Sequence, residues 1–265
     1  MTTQTKVGSN TAVSGRTLPF AMYVTFAESR LRKTWLARIP FRLTSRDLSF
    51  DARPMDYYGS VQDVLENECY APIKSLLLDI AEPPIVIDAG ANIGSFALYV
   101  LSVRPDAQVY SLEPDPGTFQ LLSANAARFG ENQWRTYQMA LTPQDGAISF
   151  ASDARCSAAS KIVGQSSGED LQNFSVEGVS LTTFIEQHLS GRVHLLKLDI
   201  EGAEEGVLQQ SETALCNVDN VVMEAHLTFC NEENIQDILT RNYKTIDKIN
   251  NPDDEFPIFL ASSLK

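Results

Sequence analysis

The rhythm of apolar and polar positions changes near Ile85. From there to the C-terminus, short apolar runs alternate with longer stretches of helical spacing. "IVIDAG" (85–90), "AQVYSLEP" (107–114), "VHLLKLDI" (193–200) and "VDNVVMEAHL" (218–227) are β-branched, apolar and bounded by turn residues, as strands buried on both faces are. "GSFALYVLSV" (94–103), "PGTFQLLSANAARFG" (116–130) and "SLTTFIEQHL" (180–189) repeat apolar residues at helical intervals, and the second ends at Gly130, a residue type suited to follow a helix. "QWRTYQMAL" (133–141) predicts a third strand, "AISFAS" a further one after the turn "PQDG", and a short helix falls around Glu204 to Gln210. "YKTIDKI", the turn "NNPDDE" and "FPIFLASS" predict a closing hairpin. Such alternation builds a doubly wound, mostly parallel α/β sheet with helices on both faces, into which the hairpin inserts one antiparallel strand.

The N-terminal part is less regular. Residues 1–17 are small and polar and predict a disordered tail. "AMYVTFAESRLRKTWLARI" (21–39) has helical spacing, "FRLTSRDLSFDA" (41–52) alternates as short strands do, and "SVQDVLENECYAPIKSLLLDI" (60–80) is helical with a break near Ala71-Pro72. Residues 18–80 therefore read as a cap or lead-in, and 81–265 as the ligand-binding domain.

Composition narrows the partners. Hydrophobic residues make up 43% of 265, enough for a substantial core. The formal net charge of −13 repels a polyanion, which argues against nucleic acid. The basic run Ser29 to Arg38 reads as a solvated helix face. Cys69, Cys156, Cys216 and Cys230 are far apart in sequence and form no metal or redox pair, which suits a reducing, cytoplasmic setting. No apolar run of about 18 residues predicts a membrane span, and the N-terminus has no apolar signal core.

In a doubly wound sheet, ligands lie at the C-terminal ends of the strands. That directs attention to residues 88–94, 113–115, 140–142, 199–204 and 224–226. Asp88, Gly90 and Gly94 form D-x-G-x-x-x-G, with Ala91 and Asn92 where a dinucleotide fold would place its middle glycine. A pyrophosphate is poorly served by this turn. A ligand with one carboxylate and one ammonium fits better, its ammonium beside Asp88 and its polar groups on free backbone N–H groups of the turn. Gly90 keeps the turn open and Gly94 lets the helix approach. Glu113 ends the next strand, where a carboxylate accepts hydrogen bonds from both hydroxyls of a ribose. An amino-acid end and a ribose together describe S-adenosylmethionine. Two other readings stay open: an NAD-dependent oxidoreductase or epimerase, and a non-catalytic cofactor-binding module.

"VIDAGANIGSFALYV", "VYSLEPDPGTFQLLSANA", "YQMALTPQDGAISF", "LLKLDIEGAEEGVL" and "VVMEAH" resemble the successive motifs of FkbM-type S-adenosylmethionine-dependent methyltransferases. The resemblance runs from about Tyr70 to the C-terminus, and "KLDIEGAE" (197–204) is its most specific piece. It implies the class I methyltransferase (Rossmann-like) fold with a seven-stranded sheet. It also implies O-methylation of a hydroxyl or carboxylate on a small molecule such as a natural product or sugar. Carried over by motif, Asp88, Gly90, Asn92 and Gly94 surround the methionine end, Glu113 binds the ribose, and Met139 and Ala140 face the adenine. Asp199 and Glu201 face the methyl group.

Methyl transfer from a sulfonium is an in-line displacement, and an alcohol acceptor must also lose a proton. His226, Asp199 and Glu224 are the catalytic candidates. His226, with an ordinary pKa of about 6.5, would be a mostly neutral general base. Alternatively, Asp199, Glu224 and His226 would hold Mg²⁺, or a carboxylate acceptor would need neither. Glu201 reads either as an acceptor-side residue or as a cap of the following helix. Tyr57, Tyr58 and Tyr70 read as walls of the acceptor pocket or as packing of the lead-in. His188 and His194 read as surface or structural residues.

Overall fold

A computed structural model describes residues 25–28, 35–43, 46–53, 56–153, 156–162, 172–250 and 255–264. At its centre, β4 (Ile85–Ala89), β5 (Gln108–Leu112), β6 (Trp134–Tyr137), β11 (Leu195–Leu198) and β12 (Val221–Glu224) lie parallel. β14 (Ile258–Leu264) runs antiparallel between β12 and β13 (Tyr243–Lys248), completing the order β13-β14-β12-β11-β4-β5-β6. Five parallel strands closed by a hairpin with one reversed strand is the doubly wound sheet that the alternation along the sequence implies, and the class I methyltransferase topology that the family resemblance implies.

Alternate strand residues feed two cores. Val86, Val109, Leu195 and Val222 point to one face, against α3 (Ser95–Val103), α4 (Pro116–Ala126) and the lead-in helices. Ile87, Tyr110, Leu196 and Met223 point to the other. They pack there on α5 (Leu181–His188), α6 (Glu204–Gln210), α7 (Glu212–Leu215) and α8 (Glu232–Asn242). The sequence pattern did not single out α8. Its cap is the Asn231 side chain, which accepts the Asn234 N–H.

Two expectations are corrected. Residues 21–39 are not one helix: β1 (Thr25–Glu28) and β2 (Trp35–Leu43) form an antiparallel sheet with β3 (Arg46–Ala52). Trp35, Ala37, Ile39, Phe41 and Leu43 repeat at period two as well, and Pro40 excludes a helix interior. Among the described residues β1 pairs with Trp35–Arg38 and Pro40 pairs with Ser49 of β3 alone, a one-sided position that tolerates its missing N–H. Likewise 133–141 is not one strand. After β6 the chain changes sheets, and β7 (Met139–Leu141) pairs with β10 (Gln172–Val179). With β8 (Gly146–Asp153) and β9 (Cys156–Ile162) these form a separate four-stranded sheet, order β7-β10-β8-β9.

The lead-in continues as α1 (Tyr57–Glu66), wound as a π-helix, and α2 (Ile73–Asp79). Tyr70, between them, sets its ring edge-on to Phe96 of α3 at 5.0 Å. The proposed tail 1–17, most of the basic run 29–38 and the turn at 251–254 lie outside the described residues.

Candidate active site at the strand ends

The glycine turn after β4 is forced by its neighbours. Gly90 has φ +73°, and a Cβ there would sit 1.7 Å from the Asp199 carbonyl oxygen. Gly94 has φ +98°, and a Cβ would meet the Trp134 ring at 2.4 Å. Neither position accepts a side chain. The turn's amides are already used: Gly90 and Ala91 donate to Leu112 O, Gly94 to Ala91 O, and Asn92 to Glu113 Oε2 at 2.9 Å. The expectation of free N–H groups is therefore corrected, because the chain satisfies its own buried donors first.

Glu113 is buried and also accepts the Asp115 N–H at 2.9 Å, tying the loop after β4 to the loop after β5. Burial pushes its carboxyl up to about 8 against these two bonds. Each carboxylate oxygen retains a lone pair, so it can still accept ribose hydroxyls. Met139 is half-buried and Ala140 buried on β7.

Asp88 is fully buried. Its Oδ2 accepts the Ser111 hydroxyl at 3.2 Å, which in turn accepts the Trp134 indole N–H at 2.9 Å. Its Oδ1 receives no hydrogen bond and faces the Lys197 ammonium at 3.5 Å. Burial pushes the Asp88 carboxyl above the usual range even so, with Lys197 and Ser111 opposing. Lys197, buried on β11, donates to Gly90 O at 2.7 Å and lies 3.2 Å from Asp199. An ammonium of the protein itself thus occupies one side of Asp88 and pins the turn.

Asp199, Glu224 and His226 meet at the ends of β11 and β12, with one ligand atom from each within 4.8 Å of the others. His226 Nδ1 is 2.9 Å from Glu204 Oε1, and Nε2 is 3.5 Å from Glu201. With Nδ1–H donated to Glu204, Nε2 is the nitrogen left toward the strand ends. Burial lowers the imidazole's pKa, but the bond and charge of Glu204, with Asp199 and Glu201, outweigh it and raise it to about 9. This corrects the expectation of a mostly neutral His226. Burial and Asp199 push Glu224 up to about 8.

Glu204, which the sequence reading left without a role, organises the loop. Fully buried, it accepts the Ile200 N–H at 2.9 Å and the Gly202 N–H at 3.0 Å, the Cys230 thiol at 3.3 Å, and His226. Burial raises its pKa, but His226 and the backbone bonds bring it below the ordinary value. Lys197 was missed too. Its signal is a lone cation between Leu196 and Leu198 in an otherwise apolar strand. Glu201 has φ +58° and Asn92 φ +53°, conformations that non-glycine residues adopt mainly where surroundings demand them.

Tyr70 is buried, and its hydroxyl pKa is raised by burial first and then by the charges of Asp199 and Glu224. Tyr57 points within α1 instead, its hydroxyl donating to Glu66 at 2.5 Å. Of Tyr58 only its place on α1 is described. His194 accepts the Ile85 N–H at 2.9 Å, a structural bond. His188 packs on Tyr137 and Phe184.

A metal has a donor set of two carboxylates and one imidazole here. Mg²⁺ prefers six oxygens at about 2.1 Å, so this set suits a softer divalent ion such as Mn²⁺ better. Asp199, Glu224 and His226 Nε2 would hold such an ion, which would acidify a bound hydroxyl.

The methyltransferase FkbM domain model matches residues 88–251, more than half of the chain. Methyltransferase 1 of Beauveria bassiana is 25% identical over 184 residues, covering 62% of this chain and 71% of its own length. The hexuronic acid methyltransferase AglP of Haloferax volcanii is 28% identical over 155 residues, covering 58% of this chain, which spans 61% of AglP. The 31-O-demethyl-FK506 methyltransferase FkbM of Streptomyces tacrolimicus is 29% identical over 193 residues, 62% of this chain and 73% of that one. Among solved structures, magnesium protoporphyrin IX methyltransferase of Synechocystis aligns over 80% of this chain and 86% of its own, with a TM-score of 0.46 and 14% identity. The chain belongs to the FkbM domain family of S-adenosylmethionine-dependent methyltransferases.

Proposed function

We propose that this chain methylates a hydroxyl oxygen of a small-molecule acceptor, with His226 as the base. The observation that carries this is the meeting of Asp199, Glu224 and His226 beside the glycine turn. S-adenosylmethionine bound there supplies an activated methyl carbon. Gly90, Asn92 and Gly94 would border its amino-acid end, with Asp88 and Lys197 bracing the turn from beneath, Glu113 would hold its ribose, and Met139 and Ala140 would line the adenine. Glu204 holds Nδ1–H, so Nε2 of a neutral His226 accepts the acceptor's proton. Tyr70 and Glu201 border the acceptor, with Tyr57 and Tyr58 on the helix above.

FkbM, a 31-O-demethyl-FK506 methyltransferase, supports oxygen as nucleophile; AglP, a hexuronic acid methyltransferase, is compatible with a hydroxyl or a carboxylate. A net charge of −13 supports an acceptor other than nucleic acid. Among the described residues, no helix is long and apolar enough to cross a membrane. A cytoplasmic setting belongs to the same proposal.

Glu113→Ala should weaken S-adenosylhomocysteine binding by about 1–3 kcal/mol, because it removes the ribose acceptor and leaves the Asn92 and Asp115 N–H groups unpaired. Calorimetry with S-adenosylhomocysteine and, in parallel, NAD checks this. Saturable NAD binding with no heat from S-adenosylhomocysteine would overturn the function.

A further inference from the structure

Phe256 and Leu78 are the exposed large hydrophobic residues among those described, at 40% and 56%. Leu78 lies on α2. Phe256 lies against the candidate base, its ring centroid 5.3 Å from that of His226 and tilted by 51°. It is held there rather than hanging free. Asn250 Nδ2 donates to Phe256 O at 2.8 Å, and Asn250 Oδ1 accepts the Ile258 N–H at 2.8 Å, clamping the base of the hairpin loop. On the other side, Pro257 O accepts the Ala225 N–H at 2.9 Å, fixing Phe256 to the end of β12. Three hydrogen bonds, two from the Asn250 side chain and one between backbones, thus hold the chain around a partly exposed apolar ring beside a buried imidazole.

We propose that Phe256 is the platform of the acceptor site and selects the acceptor. An apolar ring face of the acceptor lies on the phenyl ring, which brings a hydroxyl on the acceptor's edge to Nε2 of His226. Glu201 reaches the same nitrogen, and Glu224 ends the strand just before it. The Glu201 carboxylate receives a neighbouring hydroxyl and opposes a second anion, and the Glu224 carboxyl offers a further hydrogen-bond partner. The chemistry selected is an uncharged ring with an apolar face and hydroxyls around its edge. This rests on the methyl-transfer reading of the site, and the experiment separates the two.

The test uses the full chain as wild type, Phe256→Ala and Phe256→Trp. Calorimetry with S-adenosylhomocysteine comes first, and its failure with wild type would sink the methyl-transfer function itself. Transfer from labelled S-adenosylmethionine is then measured to methyl glucopyranoside, to the matching glucopyranosiduronate, to phenol and to glycerol. A ring acceptor should be methylated in preference to glycerol, and the glucopyranoside in preference to its uronate. Phe256→Ala should raise the KM of the ring acceptor about 10-fold while cofactor KM stays within about twofold, and Phe256→Trp should restore it. Methylation of the glucopyranoside or of phenol tells a saccharide from an aromatic ring source. An unchanged KM in Phe256→Ala, a preferred uronate, glycerol equal to the rings, or no ring methylated despite cofactor binding would each overturn the platform.

Discussion

His226→Ala should lower turnover by roughly 10²–10⁴-fold, the span for loss of a general base, and leave S-adenosylhomocysteine affinity nearly intact. His226 closes a relay that begins at fully buried Glu204, and no other imidazole among the described residues reaches the strand ends. The rate should also depend on pH in a particular direction. The raised imidazole is protonated below about 9 in the ligand-free protein. The kcat/KM for cofactor, which reports the free enzyme, should therefore climb with pH toward an inflection near that value. Once the positive sulfonium sits beside it, the imidazolium is disfavoured, and the inflection in kcat at saturating cofactor should lie lower. Stopped assays across pH with wild type and His226→Ala check this. Loss of activity on chelation, restored by Mn²⁺ or Mg²⁺, would reassign His226 as a metal ligand. Near-normal turnover in His226→Ala without metal dependence would sink both roles and leave an acceptor that ionises by itself.

The second large effect belongs to Lys197. Replacing it with Met, of similar length, leaves fully buried Asp88 beside an apolar side chain and frees the Gly90 carbonyl. Breaking a buried pair in this way costs about 3–5 kcal/mol, which urea unfolding at pH 7 would measure. The loss should shrink in acid. Asp88 is already raised by burial, and without Lys197 it rises further. A carboxyl whose folded pKa lies above its unfolded value, about 3.9, stabilises most at low pH and loses that contribution as pH rises through the folded pKa. Lys197→Met with Asp88→Asn should recover much of the loss. A single variant as stable as wild type at pH 7 would show that the pair contributes nothing. We expect cofactor affinity to fall in the single variant, because the same ammonium holds the turn and Asp199.

What the sequence alone determined is the sheet that carries the site. The runs at 85–90, 107–114, 193–200 and 218–227 are buried on both faces, and such runs have few alternatives to parallel strands between helices. The strand ends, and with them Asp88, Glu113, Asp199, Glu224 and His226, followed from that topology. Local signals failed where two periods coexist. The stretch 21–39 satisfies helical and alternating spacing together, and only pairing with β3 decides it. Gln138 carries no mark that the chain changes sheets there, because the new partner, β10, is remote in sequence.

Tertiary structure alone decided the electrostatics. Whether His226 is neutral depends on Glu204, twenty-two residues away in sequence and 2.9 Å away in space. Whether the turn offers free amides depends on Leu112 and Glu113, brought over it by strand pairing. Phe256 is another such case: as a letter it is one apolar residue in a hairpin, and only the reversed strand β14 sets it on the imidazole. Periodicity reports which residues avoid water. Protonation, by contrast, responds to charges and donors within a few ångströms, and these come together only when distant segments are packed.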